Sequence, residues 1–158
     1  MFTASHDCLE NLQVEVCKFG VTGVGAEKIG GRLNFRGSRV VYASENLSLA
    51  TLELFVHVNP RVIPSGVVVV LAQLPKRWSR REIKISDLPS NWRQYPVPTR
   101  LQELGTEWLN SNSSLALVVP SSVNPFDKNI LLNPSHPQMK DVKVEPPEPF
   151  DFDPRMFA

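Results

Sequence analysis

Cysteine is almost missing from this chain: there are two, Cys8 and Cys17, in 158 residues. The histidines, His6, His57 and His136, are scattered. A structural zinc normally needs four ligands in paired short spacings, so the pattern assigns no metal. Two free thiols suit a reducing, cytoplasmic setting. Charge of one sign is also lacking, since 17 Lys and Arg stand against 16 Asp and Glu for a formal net charge of +1. Proteins that hold nucleic acid or membrane surfaces non-specifically usually carry a basic excess, so neither partner is expected. Long hydrophobic runs are absent too. The most apolar stretch, 66–74, is far too short to span a bilayer. The opening MFTASHDCLENLQVEV has neither the basic start nor the apolar core of a signal peptide. No G-x-S-x-G elbow exists, which argues against a serine hydrolase. Gly23-Val24-Gly25 starts a dinucleotide fingerprint, but Lys28 stands where its third glycine belongs.

What is present is a globular composition, 42% hydrophobic and 21% charged, in a chain long enough for one domain with its own core. Residues 1–158 are taken as that single domain, with 145–158 a proline-rich acidic extension, packed along an edge or partly free. Strands are expected at 12–19, 39–43, 66–74, 82–85, 115–119 and 142–144. Helices are expected from about Leu47 to Val58, closed by Pro60, and from Thr99 onward. Ser44 or Asn46 can cap the first helix. Thr99 with Gln102 forms a capping-box pattern for the second. Gly105 within that helix suggests a close approach to a neighbour. VTGVGAEKIGG, rich in glycine, is expected to be a loop. The fold class is α+β.

The stretch 30–53, GGRLNFRGSRVVYASENLSLATLE, holds the parts needed to grip an anionic nucleotide. Two glycines let the backbone approach a ligand, and Arg32 can fork onto phosphate oxygens; as a lone arginine it can equally be a surface turn residue. Tyr42 can stack on a flat ring or bond a ribose, or be half-buried core. Glu53 sits mid-helix among Leu49, Ala50, Val56 and His57, either facing a site or pairing with His57 at i,i+4. Ser121 follows a strand in a Pro-Ser turn. Asn133 and His136 lie between prolines, in a rigid turn or a segment lining a site.

The motifs GGRLN, VVYASE, LATLELFVH, GTEWL, VVPSSV and NILLNPSHP together resemble the RES domain family, over roughly residues 20–144. These are toxin components of bacterial toxin–antitoxin modules, named for an arginine, a glutamate and a serine, which fall here at Arg32, Glu53 and Ser121. Tyr42 and Asn133 match further polar positions. The resemblance implies a fold similar to ADP-ribosyltransferase toxins, a split mixed sheet flanked by helices with NAD+ in its cleft. The implied activity is depletion of NAD+ by cleavage of the nicotinamide–ribose bond, with water or inorganic phosphate as acceptor. NAD+ is then a substrate and no further cofactor is implied. The implied partner is a helix-turn-helix antitoxin in a hetero-oligomer. An ADP-ribosyltransferase acting on a protein or nucleic acid, and a silent nucleotide- or protein-binding module, are the competing expectations. The resemblance assigns catalysis to Glu53, Arg32 and Tyr42, and substrate binding to Arg32, Tyr42, Ser121 and Asn133. The chain departs from the family's GGRWN in carrying Leu33, and its first nineteen residues depart from the family's opening strand.

Overall fold

Apolar strands, several of them β-branched and separated by long connections, pair into one sheet, and helices pack against it. The computed structural model describes residues 12–17, 22–59 and 61–157. Its elements are β1 (Leu12–Cys17), α1 (Val24–Ile29), β2 (Val41–Ser44), α2 (Leu47–Phe55), β3 (Val68–Gln73), β4 (Arg80–Glu82), α3 (Thr99–Ser111), β5 (Ala116–Pro120), β6 (Lys128–Leu132), β7 (Lys143–Val144) and β8 (Glu148–Pro149). Among the described residues the sheet runs β4-β5-β6-β2-β1-β3-β7, with β8 also on β3. Among these pairings of described residues β4–β5 is the parallel one and the rest are antiparallel, so the sheet is mixed. β1 and β3 are paired along their whole length, whereas β1 meets β2 at the single register pair Val14↔Ser44. That weak seam divides the sheet into two halves.

Each half has its own packing. Alternation along a strand sends i and i+2 to one face. Leu117, Val119 and Leu131 therefore share a face and pack with Leu101 and Trp108 of α3. The opposite face, Val41, Ala116, Val118, Ile130 and Leu132, is covered by Trp78, Met139 and Val142. On the other half, Ala50 and Leu54 of α2 pack with Val67, Val69 and the C-terminal aromatics Phe150, Phe152 and Phe157. The acidic tail is thus pinned along β3, with Phe152 only 4% exposed.

The expected α+β architecture is present, with several local differences. The glycine-rich segment expected as a loop contains α1, held by the Arg39–Glu27 ion pair and by the Asn34 side chain on the Ala26 carbonyl. β6 was not among the expected strands; its flanking asparagines and prolines resemble a turn, and its two ladders with β5 and β2 override that. The strand expected at 82–85 lies earlier, at β4, and gives way to a 3-10 turn at Ile85–Asp87. The expected last core strand shrinks to the exposed pair Lys143–Val144 at the sheet edge. α2 is shorter than expected, ending at Phe55, and Asn46 rather than Ser44 caps it through a bond from the Leu49 N–H. Pro60 lies outside the described residues, as do residues 18 and 19. The Thr99–Gln102 capping box does not form, because Pro98 occupies the N-cap position. Gln102 instead donates to the carbonyls of Gly31 and Asn34.

Candidate active site

Strand register assembles the site. Ser44 is paired with Asn129, and Asn129 with Val119, so all three lie in one row across β2, β6 and β5. Their side chains share the face that carries Tyr42 and Leu131 two residues away, and Ser121 two residues beyond Val119. α2 follows β2 after a two-residue turn and crosses the seam of the sheet. Its apolar Ala50 and Leu54 turn to one half, and Glu53 reaches the polar row on the other.

Glu53 Oε1 accepts a hydrogen bond from Ser121 Oγ at 2.6 Å and a second, short one from Asn129 Nδ2. Ser44 Oγ donates to Asn129 Oδ1 at 2.7 Å, holding the end of the amide turned away from the carboxylate. Ser121 is fully buried, and its oxygen also accepts from the backbone N–H groups of Val123 and Asn124 at 3.0 Å. The hydroxyl has one donor, and it is committed to Glu53. The expected alternative, a Glu53–His57 pair, is not how Oε1 is used.

The loop bearing Arg32 is folded around buried Asn34. Its Nδ2 donates to the carbonyls of Ala26, Phe35 and Ser38, and its Oδ1 accepts from Tyr42 Oη at 2.8 Å. The Tyr42 oxygen accepts in turn from the Leu33 N–H at 2.9 Å. Gly30 sits at φ 80°, a left-handed conformation that glycine adopts without steric cost. A Cβ on Gly31 would lie 2.7 Å from Tyr42 Oη, so the second glycine is also required. Leu33, where the family carries an aromatic, is buried with Trp92, Leu101 and Trp108.

Arg32 Nη1 donates to the Trp92 carbonyl at 2.8 Å and the Gln94 carbonyl at 3.3 Å. The remaining guanidinium N–H groups have no hydrogen-bond partner among the described residues. Burial pulls the Arg32 pKa below its ordinary value, against the opposing pull of Glu53 and Tyr42. The guanidinium therefore lies within electrostatic reach of Glu53 without forming an ion pair with it. Burial pushes the Tyr42 phenol well above its ordinary range, more than the Leu33 N–H and Arg32 lower it. Among the described residues no three His, Cys, Asp or Glu side chains converge where a metal ion would sit. A cavity of about 180 Å³ lies at the β4–β5–β6 edge, lined by Ile83, Ile85, Val119, Phe126 and Lys128 among others. None of Arg32, Tyr42 or Glu53 borders it.

Of the residues singled out in the sequence, the structure brings Glu53 and Ser121 into contact, sets Arg32 near Glu53, and ties Tyr42 to the arginine loop. It does not bring Asn133 to this group. Asn133 lies four residues along the same strand direction from Asn129, ~13 Å away. It bonds to the Leu109 carbonyl, Asn112 Oδ1 and the Ser135 N–H, at the C-terminal end of α3. As site residues, Asn34, Ser44 and Asn129 escaped the sequence reading, in which Ser44 appears only as a possible helix cap. GGRLN contained the first and VVYASE the second, but only the register reveals the third.

Tyr42→Phe is expected to cost about 1–3 kcal/mol, because the Leu33 N–H and Asn34 Oδ1 lose their partner in a buried place. The pH dependence has a definite sign. A phenol whose pKa is raised on folding contributes stability fully below the unfolded value of about 10, and that contribution is lost as pH climbs toward the folded value. Thermal melts across the alkaline range should show the unmodified chain losing stability more steeply than Tyr42→Phe. Parallel slopes would contradict the burial of a neutral phenol.

One carboxylate held by two donors, with a half-buried guanidinium nearby, stands on a two-part mixed sheet flanked by helices, an α+β fold. The RES domain family model matches residues 18–153, and the chain belongs to the RES domain family. Toxin Res of Yersinia enterocolitica is 38% identical over 136 residues, covering 85% of this chain and 89% of the relative. The Prs ADP-ribosylating toxin of a Sphingobium species is 33% identical over 138 residues, covering 86% of each. A chain of the M. tuberculosis MbcT–MbcA toxin–antitoxin complex superposes with a TM-score of 0.71 at 10% identity, covering 93% of this chain and 86% of that one. That likeness extends the fold assignment to a solved structure.

Proposed function

We infer that this chain is the toxin of a toxin–antitoxin pair and that it breaks the nicotinamide–ribose bond of NAD+. The observation that carries the reading is Glu53, a carboxylate with one oxygen held by Ser121 and Asn129 and Arg32 close by. Cleavage of an N-ribosyl bond builds positive charge on the ribose in an oxocarbenium-like transition state. A fixed carboxylate stabilises that charge most where it forms. Arg32, with N–H groups unpaired among the described residues, neutralises the pyrophosphate through paired hydrogen bonds. Tyr42, kept neutral by burial, holds the arginine loop in shape. Water or inorganic phosphate then takes the ribosyl cation. On this reading the protein acts in the cytoplasm, and its partner is a helix-turn-helix antitoxin that blocks the site.

The name of the Sphingobium relative supports a second reading, transfer of ADP-ribose to a macromolecule. NAD+ labelled in its adenylate half separates the two. Label recovered as free ADP-ribose or its phosphorylated form supports cleavage to small molecules, and label retained on protein or nucleic acid supports transfer. Mixing the chain with its antitoxin should suppress either outcome.

A further inference from the structure

We propose that Ser44 and Asn129 form a positioning relay for Glu53, fixing its Oε1 so that Oε2 is the oxygen presented to the substrate. The inference rests on the reading of Glu53 as the charge-stabilising group. The geometry is directional: the ionised Glu53 carboxylate only accepts, so Asn129 turns Nδ2 toward it, and Ser44 Oγ holds the other end of the amide by donating to Oδ1. Asn129 and Ser121 then place two donors on the same oxygen, leaving Oε2 without a hydrogen-bond partner among the described residues. Ser44 is 4% exposed, so its hydroxyl is kept from bulk water, while Asn129 and Glu53 are half-buried. The paired register of Ser44 and Asn129 in β2 and β6 makes the relay part of the sheet rather than of a loop. Rigid strands hold side chains to the tolerance that catalysis needs. A displacement of about 1 Å at a reacting group costs on the order of 100-fold in rate.

The test is a double-mutant cycle in kcat with Ser44→Ala, Asn129→Ala and the pair, each checked for an unchanged fold by circular dichroism and thermal melting. Asn129→Ala is expected to lower kcat for NAD+ loss about 30-fold with KM within about 2-fold, since the ligand contacts remain. Ser44→Ala is expected to lower kcat several-fold alone and to have no effect once Asn129 is alanine, because Ser44 acts only through that amide. Additive losses, or a kcat unchanged in Asn129→Ala, would overturn the relay. A second measurement needs no turnover: the side-chain amide resonances of Asn129 in a 1H–15N spectrum of the ligand-free protein. They are expected to move in both Ser44→Ala and Glu53→Gln. If they move while the unmodified chain leaves NAD+ intact, the relay stands and the NAD+ reading fails; if they stay still in both variants, the relay itself is wrong.

Discussion

Replacing Glu53 with glutamine is expected to lower NAD+ turnover about 1,000-fold, the scale seen when one group that stabilises transition-state charge is removed. The variant should still fold. Both donors that touch Glu53, Ser121 Oγ and Asn129 Nδ2, converge on Oε1, and a glutamine oxygen can accept from both. What disappears is the negative charge and the acceptor at Oε2. Uninhibited expression of the unmodified chain should therefore arrest growth, while Glu53→Gln should accumulate as folded protein in growing cells. Glu53→Ala is a poorer probe, because it strands two donors in a half-buried site and adds a stability cost. Growth arrest that persists with Glu53→Gln would remove the carboxylate from the mechanism.

The second large effect comes from a residue that touches no ligand. A Cβ on Gly105 would lie 1.8 Å from the Leu33 carbonyl oxygen and 2.7 Å from its carbon. Those are backbone atoms of the loop that carries Arg32, so no side-chain rotation relieves the clash. Gly105→Ala should destabilise the fold by about 3 kcal/mol, which for a chain of this size is a fall of about 10 °C in Tm. The surviving folded fraction should also turn over NAD+ poorly, since α3 and the arginine loop cannot both keep their places. Gly25→Ala is the matched control. Nothing lies within 4 Å of that added Cβ, and alanine favours a helix over glycine, so its Tm should hold or rise. A Gly105→Ala variant as stable as the control would mean that α3 does not rest against Leu33 as described.

The close approach at Gly105 was legible because a glycine inside a good helix has few other uses. The helix cap at Asn46 was legible for a similar local reason. The capping box at Thr99 misled, since the pattern T-x-x-Q ignores that Pro98 already holds the cap position and that Gln102 has carbonyls to reach across the helix interface. α1 was hidden because a six-residue helix between glycines depends on tertiary contacts, Arg39 with Glu27 and Asn34 with Ala26, more than on propensity. β6 was hidden for a related reason: a strand paired on both sides draws its stability from its ladders. Asn129 was hidden with it, since its contact with Glu53 bridges 76 positions of sequence. The motif positions Arg32, Glu53 and Ser121 could be read along the chain, whereas the row Ser44–Asn129 exists only after the sheet has found its register.

The most direct test of the central claim is the concentration of NAD+ over time with the purified chain, in buffers with and without inorganic phosphate, beside Glu53→Gln. The account predicts loss of NAD+ with release of nicotinamide by the unmodified chain and almost none by the variant, with phosphate dependence identifying the acceptor. Stable NAD+ in both buffers, with the fold verified and Glu53 intact, would contradict it.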